Sequence, residues 1–307
     1  MKNAVFAVDL GGTNLRMAAV DSDGEILHNS RRPTPHGVDA VSLTADLIEM
    51  AVECREAVTD VDFVAIGLGV PANVTSDRIL RRLPNLPSLE GADLTTPLSN
   101  ALNIPVAIEN DATAACIGEA WLGVSRGQNN SILVTLGTGV GGGIIVNGEP
   151  LRGPDGAAAK VGHICVEPDG HPCGCGSHGC IEQYASATAL VRMADEEGLT
   201  IKDAHELFDR FKAGDRHAKT VFDRMGRYLG ITLAGLINTF NPDMIVIGGG
   251  VAAGFEAFRE PLTAEVGYRA FKEAVDRAKV VTSTLGDNAG VLGAARSALN
   301  YCAKKAD

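Results

Sequence analysis

The amino-acid sequence predicts an α/β fold built in two parts, and three observations support this prediction. The chain has 307 residues, which is enough for two domains at the usual size of roughly 150 residues each. A strand, a glycine-rich turn and a returning strand occur twice, beginning at Ala4 and again at Ser131. Further strands and helical stretches follow each copy, and the second half is mostly helical. The sequence therefore indicates a duplicated α/β chain.

The first copy begins with a buried strand. Residues 5–8 are predicted to form this strand, residues 9–14 (DLGGTN) the glycine-rich turn, and residues 15–20 the returning strand. Asp23 and Gly24 then predict a turn into a third strand. Three strands joined by short turns are thus expected at the start of the chain.

The second copy repeats this plan. Residues 132–136 are its predicted strand, residues 137–143 its glycine-rich turn and residues 144–146 its returning strand, and Asn147-Gly148 is a hairpin signal. Elsewhere we expect these elements: a helix over 41–58, strands over 63–70, 106–108 and 244–247, and helices over 184–197, 217–238, 256–266 and 290–303.

Composition and charge argue against several classes of protein. Hydrophobic residues make up 45% of the chain, but no apolar run approaches the roughly 20 residues of a membrane-spanning helix. A net charge of -11 leaves little attraction for nucleic acid or anionic lipid, so neither is expected as a partner. The N-terminus passes directly from Met1 into strand-like sequence without signal-peptide features, which favours a cytoplasmic location.

The glycine-rich turns suggest phosphate binding. Glycine lets several backbone N–H groups converge on one phosphate, although each turn taken alone also suits an ordinary tight hairpin. A third run, Gly248-Gly249-Gly250, follows a predicted strand, where a flat purine or a ribose can approach the backbone closely. The first two turns lie between strands, so they match neither the G-x-G-x-x-G dinucleotide fingerprint nor the G-x-x-x-x-G-K-[ST] phosphate loop.

Asn110 and Asp111 lie between the strand over 106–108 and a helix expected from about Ala112. In the simplest interpretation Asp111 is the N-cap of that helix. It can also be a general base, because a helix N-terminus stabilises the ionised carboxylate that a base requires. The two roles are compatible.

Three of the seven cysteines lie within eight residues: Cys173, Cys175 and Cys180. Three thiolates and one imidazole form a complete tetrahedral donor set for zinc, which indicates a structural metal, and three buried thiols are the alternative. His163, His171 and His178 are all candidates for the imidazole on spacing alone. The remaining cysteines are expected to be reduced core residues: Cys54, Cys116, Cys165 and Cys302.

Taken together, these motifs resemble the ROK family of sugar kinases and repressors, within the actin-like ATPase superfamily. The resemblance covers nearly the whole chain. The matching pieces are DLGGTN from Asp9, GVP from Gly69, LPNL from Leu83, ND at Asn110, LGTGVGGG from Leu136, GH at Gly162, the cysteine cluster, NPDMIVIGGGV from Asn241 and GDNAGVLGAA from Gly286.

The resemblance implies an architecture. This architecture has two actin-like (ribonuclease H-like) α/β lobes with a nucleotide cleft between them. Residues 1–111 would form a small N-terminal lobe, with the C-terminal helix of about 290–307 packed back on it. Residues 112–289 would form a large lobe that carries the zinc loop, and the protein would be a homodimer.

The resemblance also implies roles for individual residues. Asp9 would approach Mg2+, Asp111 would be the catalytic base, and the family pattern selects His163 as the fourth ligand of the structural Zn2+ beside the three clustered cysteines. The other ATP-binding residues would be Gly11, Gly12, Thr13, Asn14, Thr138 and Gly139, with Gly249 and Gly250 beside the nucleoside. The sugar-binding residues would be Asn85, Asn110, Asp111, His163 and Glu182.

The implied activity is that of an ATP-dependent hexose kinase. The LPNL, zinc-loop and CIEQYAS segments look most like the bacterial glucokinase branch, so the 6-hydroxyl of glucose is the first choice of acceptor. Fructose, mannose, allose and N-acetylhexosamines are alternatives. A sugar-responsive repressor would need a DNA-reading domain ahead of the first strand, and a non-catalytic sugar sensor would not need the catalytic side chains that this sequence retains.

One position departs from the family pattern G-E-x-G-H. The chain reads Ala159-Lys160-Val161-Gly162-His163, so a residue that can only donate hydrogen bonds stands where the family has an acceptor. Lys160 can point to solvent, pair with Glu182, or donate to a sugar oxygen. Each interpretation bears on which hexose is bound.

Overall fold

The structure, a computed structural model, describes residues 2–35 and 37–306. Its strands are β1 Lys2–Leu10, β2 Asn14–Asp21, β3 Ile26–Pro33, β4 Val61–Val70, β5 Asn73–Val74, β6 Leu80–Arg81, β7 Val106–Asn110, β8 Ser131–Leu136, β9 Val140–Val146, β10 Glu149–Pro150, β11 Met244–Gly248 and β12 Lys279–Thr282. Its α-helices are α1 Ala40–Ala57, α2 Thr95–Leu102, α3 Asp111–Trp121, α4 Glu182–Ala185, α5 Ala187–Glu196, α6 Ala204–Lys212, α7 Arg216–Phe240, α8 Phe255–Arg269, α9 Lys272–Arg277 and α10 Asn288–Ala306. Among these helices, none is both long and apolar enough to cross a bilayer.

Two five-stranded sheets share one topology. The strand order is β3-β2-β1-β4-β7 in the first sheet and β10-β9-β8-β11-β12 in the second. In each sheet an antiparallel hairpin, β1–β2 or β8–β9, is followed by a strand that pairs in parallel with the first strand of that hairpin. The duplicated plan predicted from the two glycine-rich turns is therefore confirmed.

The chain divides into two compact units. The first unit comprises the described residues of Met1–Gly127, Pro150–Ala159 and Asp287–Asp307. Its core lies where α1 covers the sheet, and α1 contributes apolar side chains at the three- to four-residue spacing of one helix face. These buried side chains are Leu43, Leu47, Met50 and Cys54.

Helix α10 completes the first unit from the far end of the chain. It packs against α3, β4 and β1. The contact with α3 is close because each helix has a glycine at the crossing: a Cβ added at Gly293 would lie 1.6 Å from the carbonyl oxygen of Ala114, and one at Gly118 would lie 2.3 Å from that of Ala289. Since α3 packs in this way, the first unit continues past residue 111, the boundary expected from the sequence, to Gly127.

The second unit comprises Gln128–Glu149 and Lys160–Gly286. Helix α7 is 25 residues long and packs against α8, α4, α5 and α6. Its buried face includes Val221, Phe222, Met225, Leu229 and Leu233. A long helix with such a face stabilises the unit that carries the cysteine cluster.

Two predicted segments differ from the structure. The second glycine-rich turn is shorter than residues 137–143, because its last three glycines pair with β8 as part of β9. The helix predicted over 184–197 is broken at Ser186, whose side-chain oxygen accepts the N–H of Ala189 and so caps α5. The N–H of Ala187 donates to the carbonyl of Gly137 at 2.8 Å, which ties the start of α5 to the second turn.

Candidate active site

The first glycine-rich turn joins β1 to β2. The N–H of Gly11 donates to the carbonyl of Asn14 at 2.8 Å, and the buried Thr34 donates its hydroxyl to the carbonyl of Gly11 at 2.8 Å. Asn85 lies directly above the turn, since a Cβ added at Gly12 would be 3.3 Å from the Cβ of Asn85. A side chain at Gly12 would therefore crowd the approach of a ligand to this backbone.

Asp9 lies one residue before the end of β1, and its pKa is raised from 3.8 to about 6. Burial is the largest cause, the nearby carboxylate of Asp111 adds to it, and the guanidinium groups of Arg16 and Arg31 oppose it. Asp9 and Asp111 thus create a region of negative potential inside the first unit. Such a region favours the binding of a divalent cation.

Arg16 is a buried cation beside Asp9 that the sequence analysis did not identify. It lies opposite Asp9 in the β1–β2 pair, and its guanidinium donates to the carbonyl of Asp287 at 2.8 Å and to Oδ1 of Asn288 at 2.6 Å. These bonds hold the first turn of α10 against the sheet, where a Cβ at Gly290 would lie 3.1 Å from the carboxyl carbon of Asp9. The available signal was a single arginine in a strand that is otherwise apolar in its interior.

The end of β7 carries Asn110, and α3 begins with Asp111. The N-cap is Asn110 and not Asp111, because Oδ1 of Asn110 accepts the N–H of Thr113 at 3.2 Å. Asp111 is the first helical residue, and its Oδ1 accepts both the N–H of Ala112 at 2.8 Å and the side-chain amide of Asn110 at 2.9 Å. Two donors and the helix N-terminus together stabilise the ionised carboxylate.

The second glycine-rich turn joins β8 to β9. It is closed by a hydrogen bond from the N–H of Gly137 to the carbonyl of Gly139 at 2.9 Å. The carboxylate of Glu182 lies against it: Oε2 accepts the N–H of Val140 at 3.0 Å, and a Cβ added at Gly139 would be 2.5 Å from the same oxygen. The exposed Thr138 is in the middle of the turn.

His163 is the last residue of a 3-10 turn, Val161–His163, that packs on the start of β9. A Cβ added at Gly162 would lie 2.0 Å from the carbonyl oxygen of Val140, so only glycine fits there. Lys160 immediately precedes the turn, is partly buried, and accepts the N–H of His163 at its own carbonyl at 3.0 Å. The donor side chain of Lys160 and the imidazole of His163 thus belong to the same short segment.

The four predicted zinc ligands converge. One donor atom from each of His163, Cys173, Cys175 and Cys180 lies within 4.8 Å of all the others. The Sγ atoms of Cys175 and Cys180 are 3.6 Å apart, and Sγ of Cys173 is 3.6 Å from Nδ1 of His163. Zinc bonds of the usual lengths, arranged tetrahedrally, would separate such donors by about 3.5 to 3.8 Å. The cluster therefore fits a single zinc ion.

The thiols of the cluster are close to one another in a partly buried space. Burial raises the pKa of Cys180 to about 12. For Cys175 burial is outweighed by a hydrogen bond from the Ser177 backbone and by the neighbouring thiols, which lower its pKa. A divalent cation would displace the remaining thiol protons, and the cysteines would bind it as thiolates.

The two other histidines of the loop have different neighbours. His171 contacts Arg192, with Nε2 at 2.6 Å from a guanidinium nitrogen, and the exposed His178 pairs through its backbone with Pro172. Neither is part of the cluster. The expectation of a core position is wrong for Cys165, which is exposed; its backbone pairs with that of Cys180.

Glu182 connects the cysteine cluster to the second turn. While Oε2 binds the amide of Val140, Oε1 accepts from Sγ of Cys173 at 3.8 Å. The residue is at the start of the one-turn helix α4, two positions after Cys180. A metal bound to Cys180 would fix the short segment from which Glu182, the carboxylate against Gly139, extends.

The third glycine run follows β11. Gly249 has φ of 83°, and a Cβ there would lie 2.4 Å from the carbonyl oxygen of Leu136, at the end of β8. Gly250 begins the 3-10 turn Gly250–Gly254. This run therefore lies next to the strand that leads into the second glycine-rich turn.

Each predicted site residue thus has neighbours from the predicted site within its own unit. The first unit brings together Asp9, Gly11, Gly12, Thr13, Asn14, Asn85, Asn110 and Asp111. The second brings together Thr138, Gly139, His163, Glu182 and the three cysteines, with Gly249 and Gly250 following the neighbouring strand.

Comparisons with known proteins identify the family. The model of the ROK family matches residues 5–300. The glucokinase of Thermotoga maritima is 37% identical over 312 aligned positions, which cover 96% of this chain and 96% of the relative. Two solved structures are similar throughout. The ROK hexokinase from Thermus thermophilus has a TM-score of 0.85 and 35% identity, covering 98% of this chain and 99% of the other. A ROK family glucokinase from Streptomyces griseus, in complex with glucose and AMPPNP, has a TM-score of 0.81 and 32% identity, covering 97% and 99%.

Proposed function

Because the chain belongs to the ROK family, we propose that it is an ATP-dependent glucokinase, which transfers the γ-phosphoryl group of ATP to the 6-hydroxyl of glucose. The observation that carries this proposal is the carboxylate of Asp111. Two hydrogen bonds at the start of α3 favour its ionised form, and it lies within electrostatic range of the partly buried Asp9. One carboxylate is thus prepared to accept a proton, beside another that suits a metal ion.

In the proposed reaction Asp111 is the general base. It takes the proton of the 6-hydroxyl as that oxygen attacks the γ-phosphorus, and ADP leaves with the electrons of the broken phosphorus–oxygen bond. A positioned base contributes typically about 10²- to 10⁴-fold to the rate. The amide donors from Ala112 and Asn110 favour the ionised carboxylate and fix its orientation.

The glycine-rich turns would hold the phosphates of ATP. Gly11, Gly12, Thr13 and Asn14 belong to the first turn and Thr138 and Gly139 to the second, and backbone N–H groups of such turns bind phosphate oxygens. Gly249 and Gly250 would lie beside the nucleoside, where the absence of a side chain allows close approach. Asp9 would hold Mg2+, which neutralises charge on the phosphates as they react.

The sugar would be bound by side chains that both donate and accept hydrogen bonds: Asn85, Asn110, Asp111, His163 and Glu182. Zinc, held by His163 and the three cysteines, would brace two of them by fixing the loop from which Glu182 extends. We also propose that the protein is a homodimer, which light scattering of the purified protein would test.

One observation favours a second candidate for the sugar that receives the phosphoryl group. Lys160 places a donor in the segment of His163 where the family pattern has an acceptor. A hexose that offers an acceptor at the corresponding position, such as the carbonyl of an N-acetylhexosamine, would gain a hydrogen bond there.

A coupled assay of ADP release across a panel of hexoses tests the proposal. We expect glucose to give the highest kcat/KM, with glucose 6-phosphate as the product. A higher kcat/KM for an N-acetylhexosamine would identify that sugar, and not glucose, as the preferred substrate. The absence of ADP release with every hexose, in protein that binds sugar, would show a sensor instead of a kinase.

A further inference from the structure

One segment of the chain leaves the second unit and returns to it. Residues 150–159, which we call the strap, belong to the first unit, whereas the residues immediately before and after them belong to the second. The strap begins with the last residue of β10 and ends at Ala159, which has a positive φ of 59°. It continues directly into Lys160 and the turn that carries His163. Its place in the first unit therefore needs contacts that hold it there.

The first such contact is an ion pair. Nε and Nη2 of Arg152 donate to the same carboxylate oxygen, Oε2 of Glu109, at 2.8 and 2.6 Å. The Glu109 side chain is only 6% exposed, while that of Arg152 is 47% exposed. Glu109 is the residue before Asn110 on β7. Without Arg152, the buried carboxylate of Glu109, two residues before Asp111, would lose its ion-pair partner. An unpaired charge is costly in a protein interior.

The second contact is made by the backbone. A Cβ added at Gly156 would lie 2.0 Å from the carbonyl oxygen of Val74, and Gly156 has a φ of 69°, so only glycine fits. Val74 is two residues from Ala72, whose carbonyl accepts the side-chain amide of Asn110 at 3.1 Å. Asn110 in turn binds Oδ1 of Asp111. The strap therefore connects to the Asn110–Asp111 segment along two separate routes.

These contacts assign a role to a residue that no motif identified. We propose that Arg152 is a positioning residue for phosphoryl transfer: through Glu109 it holds the end of β7, and with it Asn110 and Asp111, in the geometry that the reaction requires. The inference rests on the proposed function of Asp111 as the base. Displacement of a catalytic group by about 1 Å can reduce a rate about 100-fold, so a small shift of this strand end would be measurable.

A double-mutant cycle on Arg152 and Glu109 tests the proposal. We expect Arg152→Met and Glu109→Gln each to lower kcat about 10- to 100-fold, with the KM for ATP within about twofold of the wild type, because the phosphate-binding turns are untouched. The double variant should be no slower than the slower single variant, since both changes break one interaction. Arg152→Lys should recover part of kcat, because it restores the charge but not both hydrogen bonds to Oε2 of Glu109.

A similar ion pair elsewhere supplies the control. Nε and Nη2 of Arg277 also contact one carboxylate oxygen, Oδ1 of Asp243, both at 3.0 Å. Arg277→Met therefore removes a comparable pair far along the chain from β7. We expect it to change thermal stability without changing kcat.

Amide hydrogen exchange gives a measurement that does not depend on activity. The amides of Ala112 and Thr113 should exchange faster in Arg152→Met than in the wild type, and not in Arg277→Met. Multiplicative effects of the two changes on kcat, or equal exchange in all three proteins, would overturn the proposal. A wild type that phosphorylates no hexose would instead refute the proposed function, and the exchange data would still decide the role of Arg152.

Discussion

Asp9 and Asp111 are both acidic residues at the ends of strands or the starts of helices, but their surroundings have opposite effects. Asp111 accepts two hydrogen bonds at a helix N-terminus, which favours the charged form. Asp9 is partly buried, and this burial together with the charge of Asp111 raises its pKa to about 6. A single short region of the first unit thus contains one carboxylate that is stabilised as an anion and one that is not.

The raised pKa of Asp9 predicts a cost to stability. The folded state binds the proton more tightly than the unfolded state, whose pKa is near 3.8, so the unfolded state binds fewer protons between these values. The free energy of unfolding therefore falls as pH rises from about 4 to about 6 and stays lower above that range. The difference of roughly two pKa units corresponds to about 3 kcal/mol.

Asp9→Asn should consequently stabilise the protein while it abolishes activity that depends on Mg2+. Without nucleotide or Mg2+, we expect urea denaturation at pH 8 to give a higher free energy of unfolding for Asp9→Asn than for the wild type, by up to about 3 kcal/mol. The gain should shrink as the pH falls from 7 towards 4. A variant that is less stable than the wild type at pH 8 would show that Asp9 is not a strained carboxylate.

At the scale of elements, the zinc loop is held by backbone contacts as well as by its ligands. The N–H of Cys173 donates to the carbonyl of Ser177 at 2.8 Å, and the N–H of Gly179 to that of His171 at 2.8 Å. Regular secondary structure is nearly absent between His163 and Glu182. A bound metal would supply the stability that a helix or a sheet provides elsewhere.

The loop offers a matched pair of substitutions. Cys175→Ser removes a ligand of the cluster, whereas Cys165→Ser changes an exposed cysteine of the same loop that does not belong to the cluster. We expect elemental analysis to find about one zinc per chain in the wild type and in Cys165→Ser, and much less in Cys175→Ser. The KM for glucose should rise in Cys175→Ser more than the KM for ATP, because Glu182 and His163 lose their support.

Equal zinc content in the two variants would contradict the assignment of Cys175 as a ligand. A wild type purified without zinc, and with unchanged activity after zinc is added, would contradict the structural metal as a whole.

The crossing of α3 and α10 gives a second prediction at this scale. Gly293→Ala would force a methyl group onto the carbonyl of Ala114, so the helix that carries Asp111 and the helix that covers Asp9 would have to separate. We expect a loss of several °C in Tm together with a loss of kcat. Gly267→Ala is the control, because Gly267 is a helical residue of α8 and an added Cβ would have no atom within 4 Å beyond its chain neighbours and the backbone of its own helix.

The control should raise stability slightly, by up to about 1 kcal/mol, as alanine in a helix generally does relative to glycine. If Gly293→Ala were as stable and as active as the control, the close crossing would have no functional role.

For the whole molecule, the fold class was predictable because its signals are local. Glycine-rich turns between apolar strands occur at residues 9–14 and again after β8, and the two sheets repeat one topology. The fold class, an α/β protein with the two lobes of the actin-like fold, is confirmed by the similarity to solved ROK structures. Helices α6 and α9 were not predicted, because they bury too little to leave a pattern: α6 buries only Leu207, and α9 buries no residue.

Contacts between distant parts of the chain were also not predictable. The role of Arg16 depends on α10, which follows it by more than 270 positions. Arg152 contacts Glu109 because the strap belongs to the first unit, whereas the residues before and after it in the sequence belong to the second. In contrast, the cysteine cluster was identified from the sequence because its ligands are close in the chain, and motif resemblance selected His163 among three candidates.

The proposed role of Asp111 is that of the base in phosphoryl transfer to glucose. Steady-state kinetics of Asp111→Asn against the wild type test it most directly, with Asp39→Asn, at the exposed N-cap of α1, as a control for the same change at another helix N-terminus. We predict that Asp111→Asn retains the fold and the thermal stability of the wild type while kcat falls about 10²- to 10⁴-fold, and that Asp39→Asn keeps its activity. An Asp111→Asn variant that retains most of the wild-type kcat would contradict the claim.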